Sequence, residues 1–244
     1  MNRIALALIL FVLVSCHSSL HVQHRSAIVY NIEKDTPSDS NIVKMLHPYK
    51  LGVDTQMSVI IGHTDIPLTK AQPESSIGNL IADAQLEAAK KTDNKVVGSV
   101  VNYGGMRLNY IAPGVITKGK MYELMPFDNT VVVAQIPGDV LKKFCDHMAK
   151  YKGWPISGIT YTIKDKEAVN IKVGIDPLNE NLVYNIAISD YIANGGDNCD
   201  FLKPLRKKFT TIFVRDALID YIARHEKNEQ LLHPVIEKRI QYAE

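Results

Sequence analysis

Cysteine and net charge are both scarce in this chain, and no hydrophobic run is long. There are 3 cysteines, which allow at most one disulfide. The formal net charge is +2, from 28 Lys and Arg against 26 Asp and Glu. Such a balance exerts no strong pull on a polyanion. No basic run is interleaved with aromatics, so nucleic acid is set aside as a partner. No apolar run reaches the roughly 18 residues that a membrane-spanning helix needs. Internal repeats and low-complexity segments are absent as well. What remains is ordinary globular composition, 46% hydrophobic and 22% charged over 244 residues. That length suffices for one large domain or two small ones.

The amino terminus stands apart. Met1-Asn2-Arg3 supplies a positive start and residues 4–14 are apolar, the build of a secretory signal. The stretch ends in Leu13-Val14-Ser15-Cys16, which resembles a bacterial lipobox. In that reading the chain is cut just before Cys16, and acyl chains on its thiol tether the rest to a membrane without crossing it. An ordinary signal peptide containing a cysteine is the competing reading; position and spacing favour the lipobox. The expected organisation is a signal over residues 1–16, a tether with a short helix over 17–50, and one domain over 51–244. The domain is then exported, on the periplasmic side or at the cell surface, and meets the membrane through its lipid anchor alone. His17, His21 and His24 read as solvated tether residues, since no carboxylate or cysteine accompanies them at ligand spacing. Cys145 and Cys199 remain. A disulfide is open to them in an oxidising compartment, but two small buried hydrophobes is the favoured reading.

Patterning predicts mixed secondary structure. Residues 35–51 read as a short amphipathic helix weakened by Pro48, and 56–61 as a strand. Pro73-Glu74-Ser75-Ser76 precedes a helix with Ile77, Leu80, Ile81, Ala84 and Ala88 on one face, capped by Ser75 or Ser76. Strands are expected over 96–101, 130–136, 158–163, 168–173 and 183–188. A helix follows Pro137, with Val140, Leu141, Phe144 and Met148 on one side, and another covers 215–224. Asp146-His147 reads as a solvated helix face and Arg206-Lys207-Lys208 as a surface patch. Irregular mixing, with strands clustered late, predicts an α+β fold in which a mixed sheet packs with helices.

Two glycine pairs carry the functional signal. They lie in Asn102-Tyr103-Gly104-Gly105-Met106-Arg107 and in Tyr191-Ile192-Ala193-Asn194-Gly195-Gly196-Asp197. Each ends an apolar β-like run, and each delivers one charged side chain. Glycine lets a backbone turn with positive φ and come close to a ligand. An Arg from one loop and an Asp from the other can describe a single pocket. Two further stretches accompany them, Pro73-Glu74-Ser75-Ser76-Ile77-Gly78-Asn79-Leu80-Ile81-Ala82-Asp83-Ala84 and Met125-Pro126-Phe127-Asp128-Asn129. Together the four motifs resemble the C-terminal domain of the 5'-nucleotidase and UDP-sugar hydrolase family, in its order and with compatible spacing. The resemblance covers roughly residues 55–242.

That resemblance implies a division of labour. In the family an N-terminal metallophosphoesterase domain holds two metals and performs the hydrolysis, while the C-terminal domain grips the nucleoside. This chain looks like the second domain only. Metals about 3.5–4 Å apart need a dense set of Asp, His and Asn ligands. Asp-x-His, Asn-His-Glu and Gly-His-x-His arrangements are absent, and in Gly62-His63-Thr64-Asp65 the histidine reads as structural or exposed. Neither a catalytic residue nor a cofactor is therefore expected in this chain. Divalent metals are expected in a separate metallophosphoesterase chain.

The resemblance also assigns roles. Phe127 and Tyr191, the latter usually Phe in the family, sandwich the base; stacking contributes on the order of 1–3 kcal/mol per base. From periodicity alone both would read as core aromatics. Asp197 accepts from both ribose hydroxyls. Arg107 offers a rigid fork to phosphate oxygens. Many relatives carry another arginine just before the position of Glu74, where this chain has Ala71-Gln72-Pro73. Asn102 and Asn129 hydrogen-bond to base or sugar, and Gly104, Gly105, Gly195 and Gly196 permit close backbone approach. Ser75-Ser76 lacks a paired His and Asp and reads as a cap, not a nucleophile. The function expected is nucleotide recognition as the substrate-binding half of a split 5'-nucleotidase-type phosphohydrolase. The alternative is a non-enzymatic nucleotide-binding surface lipoprotein.

Overall fold

The computed structural model describes residues 26–31, 37–230 and 232–243. The signal region, Cys16, and His17, His21 and His24 lie outside them. Among the described residues no helix is long and apolar enough to cross a membrane. The elements run α1 (Ser40–Met57), β1 (Ile60–Thr64), β2 (Leu68–Thr69), α2 (Ser76–Thr92), β3 (Val96–Val100), β4 (Tyr110–Ile111) and β5 (Gly114–Thr117). Next come α3 (Lys118–Leu124), β6 (Thr130–Pro137), α4 (Gly138–Lys150), β7 (Ile156–Ser157), β8 (Ile159–Lys164), β9 (Glu167–Val173) and β10 (Asp176–Pro177). The chain closes with β11 (Val183–Ser189), α5 (Asp190–Ala193), β12 (Lys207–Phe213), α6 (Val214–Lys227) and β13 (Ile240–Tyr242). Residues from His47 onward form one compact unit.

A five-stranded sheet in the order β12-β6-β11-β3-β7 organises that unit. β11 runs antiparallel to β6 and parallel to β3, so the sheet is mixed. Side chains alternate across a strand, and β6 shows what that does. Val131 and Val133 enter one core, with Ile77, Leu80 and Ile81 of α2 and Leu218 and Ile222 of α6. Val132, Ala134 and Ile136 enter the other, with Leu141, Phe144 and Met148 of α4 and residues of β8 and β9. A four-stranded sheet, β10-β9-β8-β13, closes that second side. Both faces of the central sheet are therefore covered, which is why its strands read as continuous apolar runs.

The α2 amino terminus explains both serines of the sequence motif. Ser75 Oγ accepts from the Gly78 N–H at 3.1 Å, and Ser76 Oγ accepts from the Thr69 N–H at 2.8 Å. Farther along α2, the buried Gln85 donates to the carbonyls of Val100 and Ala187 at 3.0 and 3.1 Å. That amide clamps β3 and β11 together near their carboxyl ends.

Several expectations shift. The first helix begins at Ser40, where the Asp39 carboxylate accepts from the Asn41 N–H at 2.7 Å, and it runs through Pro48 to Met57. The strand expected at 56–61 consequently starts only at Ile60. Asp146-His147 is not a solvated face. Asp146 accepts from Lys142 and from the Ala168 N–H, and His147 packs edge-on against Trp154 with ring centroids 5.5 Å apart. The readings of the basic patch, the two cysteines and His63 hold: the patch is on the surface, where Lys207 and Lys208 open an edge strand by pairing with β6. Cys145 and Cys199 are free and buried, and burial pushes both thiols up to about 12. His63 forms a surface pair with Glu226, Nδ1 to Oε1 at 2.8 Å.

Candidate functional site

Topology brings three loops to one edge. β3 and β11 are parallel neighbours, so their carboxyl ends emerge on the same side. β6 is antiparallel to β11, so the segment before its first residue emerges there too. The carboxyl edge of a sheet is where open α/β arrangements place ligands. Here that edge gathers residues 102–107, 125–129 and 190–199.

The last of these loops is tightly self-bonded. Ser189 Oγ caps α5 by accepting from the Ile192 N–H at 3.3 Å. Gly195 then takes φ 91°, a left-handed conformation that glycine adopts without strain. Asp197 and Asn198 follow at φ 51° and 63°, and Asp and Asn tolerate that region better than other side chains. A Cβ on Gly196 would come within 2.6 Å of Tyr191 Cδ1, so the ring lies directly on the glycine backbone.

Asp197 is the hub. Its Oδ1 accepts from the Tyr191 hydroxyl at 3.0 Å and its Oδ2 from Asn102 Nδ2 at 2.9 Å. Its N–H donates to the Tyr191 oxygen at 3.2 Å. Its carbonyl lies 2.9 Å from His147 Nε2, which makes that nitrogen the protonated one. An ionised carboxylate has about four lone-pair sites, so each oxygen of Asp197 keeps capacity for another donor. Its hydrogen bond to Asp197 raises the Tyr191 pKa, and burial adds to the shift. Tyr191 still exposes 43% of its surface, whereas Asn102 exposes 7%.

The facing segments are looser. The Arg107 N–H donates to the Leu124 carbonyl at 2.8 Å, tying the 102–107 turn to the end of α3. The Arg107 guanidinium carbon lies 4.9 Å from the Phe127 ring centroid, and Phe127 is 39% exposed. Asn129 uses its carbonyl to accept from the Val214 N–H at 2.9 Å. In the glycine turn, the Gly105 N–H donates to the Asn102 carbonyl at 3.0 Å, and a Cβ there would lie 3.0 Å from Asn102 Oδ1. At Gly104 the nearest such neighbour is 3.8 Å away, so no packing demand explains that glycine.

Three of the four motifs named in the sequence thus meet at this edge, while residues 73–84 open α2. Asn102, Tyr191, Gly195, Gly196 and Asp197 form one bonded cluster. Arg107 and Phe127 pair with each other, and Asn129 stands at the foot of β6. Three further residues escaped sequence reading. Arg215, at the start of α6, is 6% exposed. It donates to the carbonyls of Met125 and Phe127 at 3.2 and 3.3 Å and to Asp128 Oδ1 at 2.6 Å. Lys70 and His147 each reach the site from another element. A charged residue opening an apolar helix stripe was the only signal for Arg215, Lys70 left none, and His147 read as part of a solvated helix face. Among the described residues no group of three or more His, Cys, Asp or Glu is placed to hold a metal ion.

The structure is thus a mixed-sheet α+β domain with a loop cluster at the carboxyl edge of its central sheet. The family model for the 5'-nucleotidase C-terminal domain matches residues 59–204, and the chain belongs to that family. Similar proteins include Protein 5NUC of Lutzomyia longipalpis, 25% identical over 86% of this chain and 42% of its own length. The 5'-nucleotidase of Mus musculus is 24% identical over 87% of this chain and 42% of its own length. A 5'-nucleotidase precursor from Thermus thermophilus superimposes with a TM-score of 0.71 at 25% identity, over 84% of this chain and 44% of that one. The NAD nucleotidase NadN of Haemophilus influenzae shares the fold, with a TM-score of 0.65 at 18% identity, over 84% of this chain and 41% of that one. The chain spans less than half the length of these relatives.

Proposed function

We propose that this chain recognises nucleotides as the substrate-binding part of a 5'-nucleotidase-type phosphohydrolase, with the catalytic metals carried by a separate metallophosphoesterase chain. The observation that carries the reading is the Asp197 cluster. Asn102 and Tyr191 fix the carboxylate from both sides at 2.9 and 3.0 Å while leaving it capacity for ribose hydroxyls. Tyr191 offers the base a half-open ring, and Phe127 offers a second. Arg107 stands beside Phe127 for the phosphate. Binding energy from base and sugar would position the phosphate ester at metals on the other chain. In the same reading residues 51–244 are the working domain. Lipidated Cys16 holds it at a bacterial membrane, on the periplasmic side or at the cell surface.

Calorimetric titration of the full chain with adenosine and AMP tests the pocket. Saturable binding that disappears in the Phe127→Ala, Tyr191→Ala double variant is the expected result. Unchanged affinity in that variant would sink the assignment. Co-purification of a metallophosphoesterase chain tests the partnership; nucleotide binding without any such chain would leave a binding lipoprotein instead.

A further inference from the structure

Two cations belong to one backbone step beside this site, one bonded to it and one carried by it. Lys70 follows β2, and its Nζ donates to the Met106 carbonyl at 2.7 Å while sitting 4.2 Å from the Tyr103 ring centroid. Met106 precedes Arg107, whose guanidinium lies over Phe127. Neither cation forms an ion pair with a carboxylate among the described residues. Some other basic side chains of the domain find partners, while exposed ones such as Lys90, Lys95 and Lys150 form none among the described residues. Lys120 pairs with Glu123, Lys142 with Asp146, Lys203 with Asp200 and Arg224 with Glu87. Burial, and after it the charge of Arg107, lowers the Lys70 pKa.

Like charges held together without a counter-charge oppose each other, and an anion between them would relieve that. The two groups complement one another chemically. Arginine presents a planar fork that takes phosphate oxygens in pairs, and lysine a mobile point charge with three donors. Only one ammonium donor of Lys70 is engaged, by the Met106 carbonyl.

We propose that Lys70 and Arg107 jointly bind the phosphate of the nucleotide, and that Lys70 makes the site prefer a nucleoside monophosphate to the free nucleoside. This rests on the reading of Asp197, Tyr191 and Phe127 as a nucleoside pocket and adds the selecting residue to it. Lys70→Met keeps an unbranched apolar stem over Tyr103 and removes the charge; Lys70→Arg restores it.

The full chain and both variants would be titrated calorimetrically with AMP, adenosine and inorganic pyrophosphate. In Lys70→Met, AMP should bind about tenfold more weakly while adenosine stays within about twofold of wild type. Lys70→Arg should regain most of the AMP affinity. The adenosine arm shows at the same time that the variant is folded. An AMP-to-adenosine ratio left unchanged by Lys70→Met would overturn the proposal. Binding of pyrophosphate that needs Lys70, in a protein that ignores adenosine, would keep the cation pair and discard the nucleoside pocket. A wild-type chain that takes up neither AMP nor pyrophosphate at millimolar concentration would overturn the pair as an anion site.

Discussion

The two walls of the candidate site are built differently. On one, the 190–199 loop is bonded to itself and to its neighbours. Asp197 alone engages Tyr191, Asn102 and His147. On the other, Arg107 and Phe127 display side chains whose mutual contact is a cation over a ring at 4.9 Å. The first wall is set before a ligand arrives. The second has no side-chain hydrogen bonds of Arg107 or Phe127 among the described residues, and each side chain ordered on binding costs about 0.5–1.5 kcal/mol. Under the proposed function, a rigid acceptor would meet the sugar and an adaptable grip the phosphate and one face of the base.

The adaptable wall still has a rigid back, and breaking that back should have the largest effect. Arg215 is buried beneath it, holding the Met125 and Phe127 carbonyls and lying 4.0 Å from the Tyr122 ring centroid. Arg215→Ala strands those carbonyls and empties the space under them. Stability should fall by about 2–3 kcal/mol, read from denaturant unfolding. A loss below about 1 kcal/mol would mean that the backbone alone holds residues 125–129.

The rigid wall is probed next through its glycine. Gly196→Ala drives a Cβ into the Tyr191 ring, an overpacking that costs about 1–2 kcal/mol. Thermal unfolding measures the loss, and the ring must leave Asp197 to relieve it. Comparing single truncations sharpens the contrast between walls. Tyr191→Ala removes the hydroxyl that bonds Asp197 and should cost about 1 kcal/mol. Phe127→Ala should change stability by about 0.5 kcal/mol or less, since Phe127 is 39% exposed. Equal effects on stability would erase the distinction between a preset and an adaptable wall.

Sequence and structure agree most where one rule sufficed. The apolar stripe of α2 and its Ser75 cap follow from helical spacing and a local hydrogen bond. The valine-rich β6 follows from burial on both faces. The loops carrying Tyr191 and Asp197 were legible because glycine pairs mark turns. What sequence could not give depends on pairing between distant segments. Lys207-Lys208 reads as surface in isolation, and only its register against β6 makes it an edge strand. β13, pairing with β8 at the far end of the chain, has no periodic signal in three residues. Arg239 is hidden in the same way: its guanidinium grips Asp83 of α2 at 2.8 Å across most of the sequence. Lys70 reads as an ordinary surface lysine until the fold sets it beside Met106.

His147 offers the smallest and most specific test of the rigid wall, because it reaches Asp197 from behind. Burial is the main cause lowering its pKa from 6.5; the bond to the Asp197 carbonyl opposes that shift, and Lys150 reinforces it. A histidine whose folded pKa is depressed takes up its proton more readily in the unfolded chain. Its contribution to stability is therefore complete above 6.5, falls as pH drops below that value, and levels off beneath the folded pKa. Protonation strengthens the Nε2–H bond to the Asp197 carbonyl and is favoured by the Asp197 charge, but burial and Lys150 outweigh both, with Asp146, Asp165 and Glu167 lining the same face as Lys143 and Lys150. His147→Gln keeps an N–H donor and removes the titration. Thermal unfolding followed from neutral to mildly acidic pH should show a shallower decline in that variant than in wild type. Parallel curves would assign the acid sensitivity to the carboxylates and leave the Asp197 loop independent of the helix beneath it.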